Sequence, residues 1–197
     1  METSFTSPRR PFAAARRPLR RAAGWLLLAL LVAPVSGAPP VRQIDSQLKA
    51  GFLYNFAKFV EWPPPPLPAG TPFRIGIIAD ANVHAAIAET LRGRAVDGHP
   101  VEVLLRGPAD DASRCRIVFI PRSSPLTPAQ FRARLPDRAV LLVGEQDGFA
   151  AAGGEIGFLP RGDNLRYQVN LTAARRVGLK LSARLASLAE VVPSAEP

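Results

Sequence analysis

Cysteine is almost absent from this sequence, and its scarcity excludes several kinds of site. Cys115 is the only cysteine in 197 residues, so an intrachain disulfide is impossible. It opens the apolar run CRIVFI, where we expect a buried, unpaired thiol; an intermolecular disulfide is the alternative. The two histidines, His84 and His99, do not have HxxH or HExxH spacing. A zinc site would lack its usual ligands, and we predict no bound metal.

Motifs of nucleophilic catalysis and of nucleotide binding are missing as well. The chain contains no GxSxG elbow, no GxGxxG turn and no GxxxxGKS/T loop. The glycines between Gly144 and Gly157 precede a predicted hairpin, where turns are their ordinary role. A Ser-His-acid triad needs no elbow and stays open. The pattern nevertheless favours a protein that is not an enzyme, with no catalytic residue and no cofactor.

The chain also lacks an apolar run long enough to span a bilayer. Six arginines precede the apolar stretch 22–35, which contains WLLLALLVA and is followed by the small residues Ser36-Gly37-Ala38. That stretch has about 14 residues, whereas a spanning helix needs roughly 20. The pattern predicts a signal peptide over residues 1–38, cleaved to leave an exported protein. Arg9-Arg10 leaves the choice between Sec and twin-arginine export open.

Much of the positive charge belongs to the predicted signal peptide. The whole chain has a formal net charge of +9, and removing six arginines and Glu2 lowers it to +4. So small a charge gives no argument for nucleic-acid binding, and we expect no nucleic-acid partner.

An aromatic helix follows the predicted signal peptide. The segment LKAGFLYNFAKFVEWP, residues 48–63, places apolar side chains on one face at helical spacing. We expect Phe52, Phe56 and Phe59 to lie in the core. Lys49 interrupts this face, and its aliphatic stem is expected to carry the amine to water. The proline run that follows ends the helix.

From residue 73 onward, strand patterns alternate with helix patterns. Short apolar runs predict strands over 73–79, 101–105, Ile117–Ile120 and 140–143, and a hairpin from 156–159 and 165–171. Helices are predicted from the cap Asn82 to Leu91, from the cap Thr127 to Leu135, over 172–177, and from Ser182 to Ala189. Asn170 is expected to cap the helix that follows it, and Gly178 to end that helix.

These patterns predict one three-layer α/β domain over residues 47–192. It should have a mostly parallel central sheet, an antiparallel hairpin at one edge and flanking helices. We expect residues 39–46 to form a disordered leader and residues 193–197 a disordered tail.

Several segments, taken in order, resemble the YfiR-type periplasmic repressors. The most specific are FLYNFAKFVEWP and NLTAARRVGLKLSARLASLA; FRIGIIAD, CRIVFIP and VLLVGEQDGFAAAGGEIGF add weaker support. The resemblance implies a compact α/β regulator that binds the periplasmic sensor region of an inner-membrane diguanylate cyclase. Such a repressor lowers cyclic di-GMP and thereby regulates biofilm formation. The resemblance further implies release by an outer-membrane lipoprotein, and it leaves a homodimer open.

The chain departs from this family in its cysteines. The resemblance implies one cysteine pair that joins the first strand to the strand of Cys115, and another in the loop before the hairpin. Here Gly76 stands at the first-strand position, and the loop 145–159 has no cysteine. Cys115 is therefore expected to remain without its partner, and redox control by an intrachain disulfide is not expected.

Candidate binding residues follow from two hypotheses. If the chain binds a protein, Trp62 at the helix end and Arg166 and Gln168 on the outward face of the last predicted strand are the candidate contacts. If it is instead a small-molecule sensor acting on a membrane histidine kinase, a pocket is expected at the carboxyl edge of the sheet, near Asp80 and Gly144.

Overall fold

The structure is a computed structural model that describes residues 41–135, 139–161 and 164–193. The predicted signal peptide lies outside the described residues, as do residues 194–197 of the predicted tail. In the described ranges no helix is both long enough and apolar enough to cross a membrane.

Helices and strands alternate along the chain. The helices are α1 (Val41–Phe59), α2 (Ala81–Leu91), α3 (Pro128–Ala133), α4 (Leu171–Arg176) and α5 (Ala183–Ser187). The strands are β1 (Val60–Glu61), β2 (Phe73–Ile78), β3 (Ala95–Val96), β4 (His99–Arg106), β5 (Ile117–Ile120), β6 (Leu141–Gly144), β7 (Ile156–Arg161), β8 (Asn164–Val169), β9 (Lys180–Leu181) and β10 (Glu190–Val191).

Eight of these strands form one sheet in the order β10-β8-β7-β6-β5-β2-β4-β3. Strands β4, β2, β5, β6 and β7 are parallel, and β7 pairs with β8 antiparallel, with Ile156 opposite Val169. The mostly parallel sheet and the hairpin are confirmed. The hairpin does not form the edge of the sheet, however, because β10 pairs in parallel with the outer side of β8.

The central strand β5 explains why the sheet is covered on both faces. Ile117 and Phe119 belong to one hydrophobic cluster, with α1 and α2, and Val118 and Ile120 belong to a second, with α3. All four side chains are fully buried. A strand without polar alternation needs an apolar layer on each face, and this requirement gives three layers.

The ends of α1 differ from the prediction. The helix begins at Val41, so the predicted leader is helical from that residue onward. It ends at Phe59 because Val60 and Glu61 form β1, which pairs antiparallel with β9. Backbone pairing with a distant strand ends the helix before the proline run is reached.

Helix caps decide the boundaries of the other helices. The Asp80 carboxylate, rather than Asn82, caps α2 by accepting a hydrogen bond from the Val83 amide at 3.0 Å. The predicted cap Thr127 is confirmed, since it forms a reciprocal capping box with Gln130. Asn170 and Ser182 cap α4 and α5 as predicted.

Candidate functional site

A first concavity lies at the carboxyl edge of the sheet, between β2 and β5. The chain leaves β2 for β4 on one side of the sheet and later returns to β5 on the other, so this edge is the topological switch point. Open α/β sheets bind ligands at such points. We call this space the switch-point cavity; it has a volume of about 790 Å³. Its charged lining residues are Asp45, Lys49, Asp80, Glu89, Arg122 and Glu145.

Lys49 is the most buried charge of the switch-point cavity. Its amine forms ion pairs with Asp45 on α1 and with Glu145 after β6. Burial lowers the pKa of Lys49, but the hydrogen bonds and the charge attraction of the two carboxylates together outweigh burial, and the net pKa is raised. The expectation that this amine reaches water is wrong, because the side chain is only 9% exposed and its charge is paired with the two carboxylates.

The two residues predicted for a ligand pocket have different positions. Asp80 is half-buried and lines the switch-point cavity, where it also caps α2. Gly144 is not among the lining residues, because the Phe149 ring covers it: a Cβ at Gly144 would collide with that ring. The next residue, Glu145, lines the cavity instead.

A second concavity lies between α1, β8 and α5, and we call it the aromatic groove. It has a volume of about 510 Å³. Its ring-bearing lining residues are Phe52, Phe56, Phe59 and Tyr167, and its exposed lining residues include Arg166, Arg184 and Leu188. Of the three phenylalanines expected in the core, Phe56 is fully buried, whereas Phe52 and Phe59 are half-buried and line the groove.

Ring contacts hold the walls of the aromatic groove in place. The Phe52 ring meets the Phe158 ring edge-on at 5.8 Å and the Tyr167 ring at 5.6 Å. The Tyr167 hydroxyl donates to the Leu185 carbonyl at 2.9 Å and so ties β8 to α5. The Arg184 guanidinium lies over the Phe59 ring at 5.2 Å.

Of the three candidate partner-binding residues, the structure places only Arg166 in the groove. Gln168 is half-buried and donates to the Glu190 carboxylate at 3.4 Å, beside β10. Trp62 is half-buried, with its ring edge-on to Phe73 at 5.3 Å. The Trp62 indole nitrogen is buried without a hydrogen-bond partner in the described chain.

Sequence reasoning missed Arg184 and Leu188. The signal that could have found them is the segment 171–189, which contains basic residues but neither aspartate nor glutamate. Leu188 is 66% exposed, which is unusual for a large apolar side chain close to other apolar lining residues.

The Cys115 side chain is buried, as predicted. Burial raises the pKa of the thiol, and the nearby Arg106 guanidinium opposes this shift. A Cβ at Gly76 would lie 3.1 Å from the Cys115 sulfur. The first-strand position implied by the family resemblance therefore faces Cys115 directly.

Neither histidine is placed as a ligand or base. His84 Nε2 lies 3.2 Å from the Val103 carbonyl, and His99 Nδ1 lies 2.8 Å from the Thr71 carbonyl. Over the described ranges, no group of three or more His, Cys, Asp or Glu side chains is arranged to hold a metal ion.

Sequence comparison assigns the chain to a family. The sequence profile of the YfiR/HmsC-like family matches residues 46–190, from α1 to β10. The matched residues include the lining of the aromatic groove and, apart from Asp45, that of the switch-point cavity. Among curated proteins, none matches the chain. The matched family is regulatory rather than catalytic, is periplasmic in general, and is associated with cyclic di-GMP signalling. The chain belongs to the YfiR/HmsC-like family.

Proposed function

We propose that this protein is a non-enzymatic periplasmic repressor of cyclic di-GMP signalling. In this role it binds the periplasmic sensor region of an inner-membrane diguanylate cyclase and lowers the activity of that enzyme. Membership of the YfiR/HmsC-like family carries the proposal. The predicted signal peptide over residues 1–38 supports the location, since it would deliver the chain to the compartment of that sensor region.

The surface chemistry is compatible with protein binding. Arg166 is exposed, and Trp62 and Gln168 are each partly exposed, so all three can meet a partner without unfolding of the core. Tryptophan and arginine are enriched among residues that dominate interface energies. We propose these three side chains as contacts, together with release of the repressor by an outer-membrane lipoprotein and self-association as a homodimer.

Cellular cyclic di-GMP tests the proposal. Deletion of the gene should raise the nucleotide, and complementation by the full chain should restore it. A version without residues 1–38 should be produced but should fail to restore it, because it stays in the cytoplasm. Unchanged cyclic di-GMP after deletion would contradict the repressor function. Trp62→Ala should weaken repression by the exported protein if Trp62 lies in the contact.

The switch-point cavity favours a second candidate function, that of a small-molecule sensor acting on a membrane histidine kinase. Its volume of about 790 Å³ suits a small ligand, and Asp80 lines it. Asp80→Asn is the most informative variant, because asparagine caps a helix as well as aspartate does, whereas the substitution removes the negative charge. A metabolite whose thermal stabilisation of the wild-type protein is lost in Asp80→Asn would favour this function. Absence of any such compound from a periplasmic metabolite panel would count against it.

A further inference from the structure

The aromatic groove carries positive charge without any negative charge of its own. Arg166 and Arg184 line it, and its lining contains neither aspartate nor glutamate. Neither arginine has an ion-pair partner among the residues that the structure describes. Two uncompensated guanidinium groups beside apolar walls create a local positive potential that attracts carboxylates.

Contacts within the protein also hold the side chains of the groove in position without a partner. Phe52 is held by edge contacts to Phe158 and Tyr167, and the Tyr167 hydroxyl is bonded to the α5 backbone. The Arg184 guanidinium is positioned by its contact with the Phe59 ring. A pre-formed surface loses little side-chain entropy on binding, and this smaller entropic cost raises affinity.

Burial of the exposed Leu188 side chain by a partner would be favourable. This side chain is 66% exposed, and Val191 on the adjacent edge strand β10 is 56% exposed. Large apolar side chains exposed beside a groove are typical of protein interaction sites.

We propose that the aromatic groove binds a partner segment in which an aromatic side chain is flanked by carboxylates. The aromatic ring would pack edge-to-face against the half-buried Phe52 ring, and the carboxylates would pair with Arg166 and Arg184. This inference rests on the proposed function, because the natural source of the segment is the sensor region of the membrane partner.

The first test measures binding to a defined probe. Acetyl-Asp-Phe-Asp-amide should shift the backbone amide NMR signals of Phe52, Tyr167 and Leu188, and acetyl-Lys-Phe-Lys-amide should not. Arg184→Glu should weaken binding of the acidic peptide by about tenfold or more, since the substitution converts charge attraction into repulsion. Arg175→Glu is the matched control, because Arg175 is exposed on α4 outside the groove lining. Circular dichroism should show that both variants remain folded.

The second test is made in cells with the same pair of variants. Arg184→Glu should lose repression of cyclic di-GMP while Arg175→Glu keeps it. Full repression by Arg184→Glu, with the groove amides unshifted by the acidic peptide, would overturn the inference and leave the proposed function standing. Unchanged cyclic di-GMP after deletion of the wild-type gene would instead refute the proposed function, and the peptide titration would still decide the chemistry of the groove.

Two other occupants are separate outcomes, and each would overturn the inference. Binding to phosphatidylglycerol vesicles that is lost in Arg184→Glu, without any response to the acidic peptide, would assign the groove to a lipid surface. A dimer seen by analytical ultracentrifugation that dissociates in Arg184→Glu, again without a peptide response, would assign it to a second copy of this chain.

Discussion

A cysteine introduced at position 76 should form a disulfide with Cys115. In a disulfide, the Cβ of one cysteine lies about 3 Å from the sulfur of the other. A Cβ at Gly76 would lie 3.1 Å from the Cys115 sulfur, with its next neighbours at 3.6 and 3.7 Å. Gly76→Cys therefore brings the two sulfurs into bonding range without displacing the backbone.

The expected stabilisation follows from the length of chain that the bond closes. The loop from Gly76 to Cys115 has about 40 residues, for which loop-closure entropy corresponds to about 4 kcal/mol. For a domain of this size, such an increase in the free energy of unfolding raises the Tm by roughly 10 °C.

The assay compares thermal unfolding of Gly76→Cys under oxidising and reducing conditions. Free thiols are counted with a chromogenic disulfide reagent after denaturation. Gly76→Ser is the matched control, since its side chain has nearly the same size and cannot form the bond. If both thiols of the oxidised variant remain titratable, or if oxidation leaves the Tm unchanged, the argument that Gly76 on β2 faces Cys115, just before β5, is refuted.

Three further predictions concern buried polar groups. Burial raises the pKa of Glu155 to about 7, although the Arg132 guanidinium opposes the shift. The protonated carboxyl therefore contributes fully to the free energy of unfolding below pH 4.5, and this contribution is lost as the pH rises through 7. In urea titrations, the excess stability of the wild type over Glu155→Gln should shrink across that window, and a constant difference would contradict it. Lys49→Met should cost about 3 kcal/mol by leaving the Glu145 carboxylate unpaired, and adding Glu145→Gln should recover part of the loss in denaturant unfolding. Asn170→Ala should cost about 2 kcal/mol because it removes both the cap of α4 and a buried 2.8 Å hydrogen bond to the Ala150 carbonyl; a loss below 0.5 kcal/mol would contradict this assignment.

Local signals were sufficient for most of the fold. The continuous apolar run over Ile117–Ile120 predicts a strand with the bounds that the structure has. Thr127 followed by Pro128 predicts the start of α3 because both residues act on the first helical turn. Asp80 and Asn82 are both capable of capping α2, and the sequence contains no signal that chooses between them.

The errors arise where a distant partner decides the outcome. Lys49 looks like an interruption of an apolar face until the fold brings Glu145 beside it. The two residues of β10 have no strand signal of their own and become a strand only by pairing with β8. Gly144 looks accessible at the end of β6, yet Phe149 turns back over it.

Contacts between residues distant in sequence also decide how much of the candidate site can be predicted. The sequence indicates the carboxyl edge of the sheet because a parallel sheet makes that edge a general property of the fold. It does not indicate the aromatic groove, because that groove requires α1, β8 and α5 to converge from opposite ends of the domain.

The pairing of β1 with β9 bears on when the protein can fold. Val60, directly after α1, pairs with Leu181 near the end of the domain, so the first helix cannot complete its contacts until almost the whole chain is available. Long-range pairing of this kind slows folding. Slow folding would serve export through the Sec channel, which carries unfolded chains, because the protein then has to stay unfolded in the cytoplasm until it crosses the membrane.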